Sequence, residues 1–97
     1  MTTFITLLNF TDQGIRNVKD SPSRADAFKS MAEKSGIQVK GIYWTVGNYD
    51  LVTILEAPND EVATTLLLSV GSLGNVRTQT LRAFSAEEMS NIIANIP

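Results

Sequence analysis

The chain contains no cysteine and no histidine among its 97 residues. The first absence excludes disulfides, thiol catalysis and zinc fingers, and the second excludes Ser–His triads and histidine-ligated haem. Basic residues are also few: 8 Lys and Arg against 10 Asp and Glu give a formal net charge of -2. Proteins that bind nucleic acid normally present a basic patch or stripe, so we expect no nucleic-acid partner.

Long apolar runs are missing as well. The longest, such as Leu66 to Leu68, fall far short of the roughly 20 residues that a membrane-spanning helix needs. The first residues lack the basic segment and apolar core of a secretory signal. We therefore expect a cytoplasmic protein with no membrane partner, folded as one domain over residues 1–97. A chain this short hides only roughly 60–65% of its unfolded surface, so partner surface is expected to complete its core.

Hydrophobic periodicity and turn residues predict four strands and several helices. The predicted strands are residues 3–10, 39–46, 50–56 and 75–84. The predicted helices are a short turn at 14–19, a longer helix from Pro22 to Gly36 capped by Ser21, a helix that starts at Pro58–Glu61 and closes at Gly71–Gly74, and a final helix over 86–95. Ser85 and Glu88 have the spacing of a capping box at the start of the last helix.

The order strand, helix, strand, strand, helix, strand is that of the ferredoxin-like split βαβ unit. It predicts an α+β fold, with a four-stranded antiparallel sheet, two helices on one face and an additional C-terminal helix. The strands are apolar on both sides: in the first, Phe4 and Leu8 oppose Ile5 and Leu7. Two helices cover only one face, so the second must be covered either by the C-terminal helix or by a second copy of the chain. We favour the second copy, in a homodimer or higher oligomer.

Four blocks of the sequence resemble the GYD domain family, which is named for a Gly–Tyr–Asp signature at the central hairpin. The blocks are Phe10–Ile15, Ile42–Val52 (with Gly47, Tyr49 and Asp50), Gly71–Thr78 and Leu81–Phe84. The resemblance implies the ferredoxin-like βαββαβ fold and a dimeric α/β barrel, in which two sheets face each other. It implies no activity. Other members of the barrel group range from small-molecule sensors to cofactor-free oxygenases, isomerases and haem enzymes, which is an analogy of fold alone.

Tyr49 and Asp50 are the candidate catalytic residues. Both hydrogen-bond readily and an aspartate can act as a base, so together they are a possible proton-handling pair at a pocket mouth. The structural alternative is that Asp50 caps backbone amides at the hairpin while Tyr49 packs over the sheet. Gly47 is expected to supply the turn before them.

Tyr43, Trp44 and Arg82 complete the candidate ligand-binding set with Tyr49 and Asp50. Tyr43 and Trp44 are consecutive and point to opposite faces of their strand, so only one of them can line a cavity between the sheet and its cover; core or interface packing is the alternative. Arg82 is a candidate for binding an anionic ligand, as are Arg16 and Arg24. Their alternative roles are a solvated surface or an intersubunit ion pair.

No residue pattern indicates a cofactor or a metal. Gly71–Gly74 lacks the spacing of a phosphate loop, and Asp60 and Glu61 are explained by the positive end of a helix dipole. The sequence thus predicts a homo-oligomeric module that binds a small molecule or serves assembly. The alternative is a cofactor-independent enzyme, similar to an isomerase or oxygenase, with its pocket inside the barrel.

Overall fold

Four strands and four helices make up the computed structural model, which describes residues 1–97. The strands are β1 (Thr2–Phe10), β2 (Gln38–Trp44), β3 (Leu51–Ala57) and β4 (Val76–Ala83). The helices are α1 (Asp12–Arg16), α2 (Ser21–Lys34), α3 (Asp60–Ser72) and α4 (Ala86–Ala94), with a 3-10 turn at Val18–Asp20 between α1 and α2. Each strand ends within two residues of its predicted bounds.

The strands form one antiparallel sheet in the order β2-β3-β1-β4, as the ferredoxin-like fold requires. The predicted hairpin of β2 and β3 is present. Gly47 lies in the loop that joins β2 to β3 and has a φ of +115°, a conformation that residues other than glycine rarely adopt. The α+β fold with a four-stranded antiparallel sheet is therefore confirmed.

Helix α2 differs from the prediction at its first turn. Ser21 is not its cap: it is the first helical residue, it is buried, and the preceding Asp20 makes no side-chain capping bond. The Ser21 hydroxyl accepts a hydrogen bond from Trp44 Nε1 at 2.9 Å instead. A packed indole N–H usually finds a hydrogen-bond acceptor. Here the acceptor is the Ser21 hydroxyl, which therefore does not cap the first turn of α2.

Helices α3 and α4 begin as their sequences predict. The Asn59 side chain accepts the Val62 N–H at 2.9 Å at the start of α3. At the start of α4 the Ser85 hydroxyl accepts the Glu88 N–H at 3.1 Å, and the Glu88 carboxylate accepts the Ser85 N–H at 2.9 Å. The predicted capping box is confirmed.

The core lies between the sheet and helices α2 and α3. Nine buried apolar residues form one cluster there: Phe4, Phe28, Ala32, Ile37, Leu55, Ala57, Ala63, Leu66 and Leu67. Full burial of each large member stabilises the fold by about 1.5–3 kcal/mol. Only 15 of the 97 residues are buried, so this core is as small as the chain length suggested.

The opposite side of the sheet, called here the open face, is also apolar. It presents Ile5, Leu7, Val52, Ile54 and Leu81, and none of these side chains is fully buried. Helix α4 does not bury its own apolar side either, since no residue of α4 is buried. The chain measures 51 × 31 × 18 Å along its principal axes. None of its helices has the length and apolarity that crossing a membrane requires.

Candidate functional site

A hydrogen-bonded joint connects the end of β1 to the turn before β4. The Thr11 N–H donates to the Asn75 carbonyl at 3.1 Å, and the Thr11 hydroxyl donates to the Gly74 carbonyl at 2.5 Å. Gln13 Nε2 donates to Asn75 Oδ1 at 3.0 Å. Gly14 lies so close that a Cβ there would be 1.9 Å from the Asn75 carbonyl oxygen. Two of the blocks that carry the family resemblance therefore meet at this joint.

Asp50 fastens the hairpin to the same end of β1. Its Oδ2 accepts the Phe10 N–H at 2.8 Å, and its own N–H donates to the Leu8 carbonyl at 2.9 Å. Its carbonyl accepts the Thr45 N–H at 2.8 Å across the hairpin. A carboxylate accepting a backbone N–H makes one of the stronger hydrogen bonds in a protein, so Asp50 holds a structural position at the edge of the site.

The two tyrosines lie over the open face. The Tyr49 hydroxyl donates to Gln79 Oε1 at 3.1 Å, and Gln79 is paired with Leu7 of that face. Tyr43 is paired with Val52 and is 58% exposed. Its ring occupies the space where a side chain on Gly41 would be, since a Cβ there would lie 2.8 Å from Tyr43 Cε2. Tyr43 and Tyr49 thus border one surface.

Trp44 and Arg82 belong to the other side of the sheet. Trp44 points to the opposite face from Tyr43, as predicted, and its Nε1 donates a hydrogen bond to the Ser21 hydroxyl of α2. Arg82 is paired with the buried Phe4. Its guanidinium lies 4.4 Å from the centre of the Phe84 ring and 3.8 Å from Glu88 Oε2. The five predicted ligand-binding residues therefore do not converge on a single pocket.

The charge of Glu88 is stabilised at the start of α4. The Ser85 backbone N–H is the main cause that holds the pKa of the exposed Glu88 carboxyl below its ordinary value of 4.5, and the Ser85 hydroxyl and the nearby Arg82 act in the same direction. Hydrogen bonds to the ionised form favour that form. The carboxylate thus supports the capping box at neutral pH.

A pocket of about 120 Å³ opens between the sheet and helices α2 and α3. Apolar side chains dominate its lining, among them Leu8, Phe28, Met31, Leu51, Val70 and Val76. Its polar lining comes from Ser21, Arg24, Thr53 and Asn75. None of the five predicted ligand-binding residues lines it. No group of acidic side chains is placed to hold a metal ion.

Two buried hydroxyl groups lack a hydrogen-bond partner. They belong to Thr53, which lines the pocket and is 3% exposed, and to Thr6, which lies directly opposite on β1 and is fully buried. Leaving a buried polar group unpaired costs about 1–3 kcal/mol. Thr53 is not among the candidates that the sequence pattern suggests, although it carries one signal: it is a polar residue between Leu51 and Leu55 on the buried side of a central strand.

Comparison with known proteins agrees with this fold. The GYD domain model matches residues 4–93. The glutamine synthetase and cystathionine beta-lyase binding protein of Thermus thermophilus is 31% identical over 90 residues, which cover 92% of this chain and 95% of that protein.

Two solved structures share the architecture. TTHA0845 from Thermus thermophilus superposes with a TM-score of 0.57 at 27% identity, covering 89% of this chain and 96% of that one. The leucine response regulatory protein LrpA of Mycobacterium tuberculosis gives a TM-score of 0.58 at 18% identity, over 88% of this chain. This chain spans only 51% of the regulator, and at that identity the likeness shows the fold alone. Because the family model spans most of the sequence, this chain belongs to the GYD domain family.

Proposed function

We propose that this chain is a homo-oligomeric protein-binding module whose partners include a second copy of itself and a larger enzyme. The observation that carries the proposal is the exposed apolar side of α4 together with Ile96, two residues beyond its end. Its members are Met89 (45% exposed), Ile92 (41%), Ile93 (53%) and Ile96 (66%). This set is called here the α4 stripe.

Helix α4 needs packing that its own chain does not supply. It has nine residues, and isolated helices shorter than roughly 12–15 residues are marginal in water. A capping box at one end contributes only about 1 kcal/mol. Burial of Ile92 and Ile93 against another surface would add up to about 1.5–3 kcal/mol each. A partner surface is therefore the natural source of stability for α4.

The open face needs a cover of the same kind. Leu81 is 42% exposed there, beside half-buried Ile5 and Ile54. A second copy offers an identical apolar sheet and an identical α4 stripe, so two copies can cover each other symmetrically. This supports a dimer in which the sheets face each other and α4 packs across the interface, as in a dimeric α/β barrel.

An enzyme partner is supported by the similarity of this chain to a known binding protein. The Thermus thermophilus relative is named for binding glutamine synthetase and cystathionine beta-lyase. The match covers 92% of this chain and 95% of that protein, so the two correspond over almost their whole lengths. We propose that the assembled oligomer of this chain likewise binds one of these two enzymes from its own organism.

Light scattering coupled to size exclusion tests the self-association. At about 50 μM, a concentration typical of such work, wild type should elute with the mass of two or more copies, and Ile92→Glu should elute as a monomer because it buries a charge in the interface. Asn91→Glu, on the neighbouring polar position of α4, is the matched control and should keep the wild-type mass. A wild-type chain that elutes as a monomer would overturn the proposal that it self-associates.

Binding to purified enzymes tests the second part separately. Immobilised wild type should bind glutamine synthetase or cystathionine β-lyase from the same organism, and the Asn91→Glu control should do the same. If neither enzyme binds an oligomeric wild type, the enzyme partner is wrong while the self-association stands.

We further propose that ligand contacts at the covered open face come from Tyr43 and Tyr49, since both border it. Asp50 is the remaining candidate for proton transfer, although its hydrogen bond with the Phe10 N–H favours a structural role. Native mass spectrometry of protein purified from its own source should show a retained small molecule with wild type and its loss with Tyr49→Phe. An equal retained mass in both would contradict this role of Tyr49.

A further inference from the structure

The pocket between the sheet and helices α2 and α3 lies on the side of the sheet opposite the open face. We propose that it binds a small carboxylic acid with an apolar body. In this assignment the body packs among Phe28, Met31 and Val70, the carboxylate pairs with Arg24, and a polar atom on the body hydrogen-bonds with Thr53. The proposal is independent of the oligomer and of the enzyme partner.

The size and lining of the pocket fit an apolar body of one ring or a short branched chain. Its volume is about 120 Å³, and most of its lining is apolar. An apolar cavity of roughly 150 Å³ stays dry and holds benzene, so this space suits a group of that size. The pocket has an open side, which gives a ligand a way in and leaves its charged end near solvent.

Thr53 supplies the first polar contact. The residue is only 3% exposed, it lines the pocket, and its hydroxyl has no hydrogen-bond partner within the chain. A valine would fill the same space on β3 without a polar group, so the Thr53 hydroxyl offers a ligand in the pocket a hydrogen-bonding group that the chain itself does not use. The hydroxyl can both donate and accept, so the matching atom is a hydroxyl or carbonyl oxygen.

Arg24 supplies the charge at the rim. Its Nη1 donates to the Asn17 carbonyl at 2.9 Å and its Nη2 donates to the Gly14 carbonyl at 3.4 Å, so two backbone groups hold the guanidinium beside the pocket. The ion pairs of this chain are Lys40–Glu56 and Arg82–Glu88, which leaves Arg24 with no carboxylate partner. A guanidinium has five N–H donors in a planar fork that matches a carboxylate, and most of them are free here.

NMR titration of the isotope-labelled full chain tests the assignment, with 4-hydroxybenzoate, benzoate and neutral benzyl alcohol as probes. With wild type, 4-hydroxybenzoate should shift the methyl signals of Leu8, Met31 and Val70 and should bind about tenfold more tightly than benzoate, which is the effect of one hydrogen bond of ordinary strength. No shift of these methyl signals up to about 10 mM probe, or shifts confined to the open face, would overturn the proposal.

Two variants separate the polar contacts. Thr53→Val should weaken 4-hydroxybenzoate about tenfold and leave benzoate unchanged, because benzoate has no hydroxyl to lose. Thr6→Val is the matched control, since it removes the neighbouring unpaired hydroxyl that does not line the pocket, and it should leave both affinities unchanged. Arg24→Gln should weaken both acids about tenfold and leave benzyl alcohol unchanged. Equal affinities of wild type and Thr53→Val for 4-hydroxybenzoate would remove Thr53 from the site and refute the assignment.

Discussion

Replacing Gly14 by alanine tests whether the joint between β1 and β4 stabilises this fold. Gly14 lies inside α1, and intrinsic helix propensity favours alanine over glycine there by about 0.8–1 kcal/mol. The structure predicts the opposite sign. An alanine Cβ would lie 1.9 Å from the Asn75 carbonyl oxygen and 2.9 Å from its carbonyl carbon, and both belong to backbone that has no flexible end to move.

The expected loss of stability follows from the backbone that must move to accommodate the alanine Cβ. To restore ordinary contact, the turn that carries Asn75 has to shift by more than 1 Å, from 1.9 Å to at least about 3.0 Å. That shift strains the Thr11 bonds to Asn75 at 3.1 Å and to Gly74 at 2.5 Å. Two hydrogen bonds contribute about 1 kcal/mol each, and overpacking adds about 1–3 kcal/mol. After the gain in helix propensity, Gly14→Ala should destabilise the fold by about 2–4 kcal/mol.

Urea unfolding followed by circular dichroism measures this change, with Gly71→Ala as the matched control. Gly71 is also a helical glycine, but a Cβ there meets nothing within 4 Å. That variant should therefore stabilise the fold by about 0.4–1 kcal/mol. If Gly14→Ala proves as stable as wild type while Gly71→Ala behaves as expected, the tight contact with Asn75 does not exist and the account of the joint fails.

Three further outcomes are expected. Asp50→Ala should lower the free energy of unfolding by about 1–2 kcal/mol because the Phe10 N–H loses its acceptor, whereas Asp50→Asn, which keeps an acceptor oxygen, should lose less; urea unfolding distinguishes them. Thr53→Val should raise the free energy of unfolding by about 1 kcal/mol, since it removes an unpaired buried hydroxyl, and a loss of stability in thermal unfolding would contradict this. Because the pKa of Glu88 is lowered in the folded chain, its stabilisation of α4 is present above the ordinary value of 4.5 and is lost as the pH falls through the lowered value. The Ser85 amide signal in NMR should follow that loss, and in Glu88→Ala it should be independent of pH over this range.

Most of the fold could be predicted from the sequence because its strands are short and apolar and are separated by residues that favour turns. Gly47 marks the hairpin, and Asn59 and Ser85 mark the starts of α3 and α4, all through local backbone chemistry. The prediction that Ser21 caps α2 was wrong for a reason that is not local. The acceptor for Trp44 Nε1 is chosen by the packing of β2 against α2, residues that lie 23 positions apart.

The candidate site could be predicted only in part, because it too depends on contacts between residues that are distant in the sequence. Alternation along β2 correctly separated Tyr43 from Trp44, because that pattern depends on neighbouring residues alone. The same alternation could not predict that Thr53 keeps an unpaired hydroxyl in a pocket, since this depends on which atoms of other strands and helices come near it. Arg24 is one of three arginines considered for anions, and its backbone contacts and its position in the pocket lining distinguish it from Arg16 and Arg82.

Several residues that carry the family resemblance hold β1 to its neighbours in this chain. Thr11, Gly14 and Asp50 are engaged in joints between β1 and its neighbours, so substitutions there act first on stability. The α4 stripe lies outside those joints, whereas the pocket beside Thr53 and Arg24 adjoins them, because Phe10 and Asn75 line it. Substitutions in the α4 stripe should therefore leave the joints intact, whereas substitutions at Asn75 should affect both the fold and the proposed pocket. The proposed self-association should accordingly respond more strongly to substitutions in the α4 stripe than to substitutions in the Gly–Tyr–Asp signature that leave the chain folded.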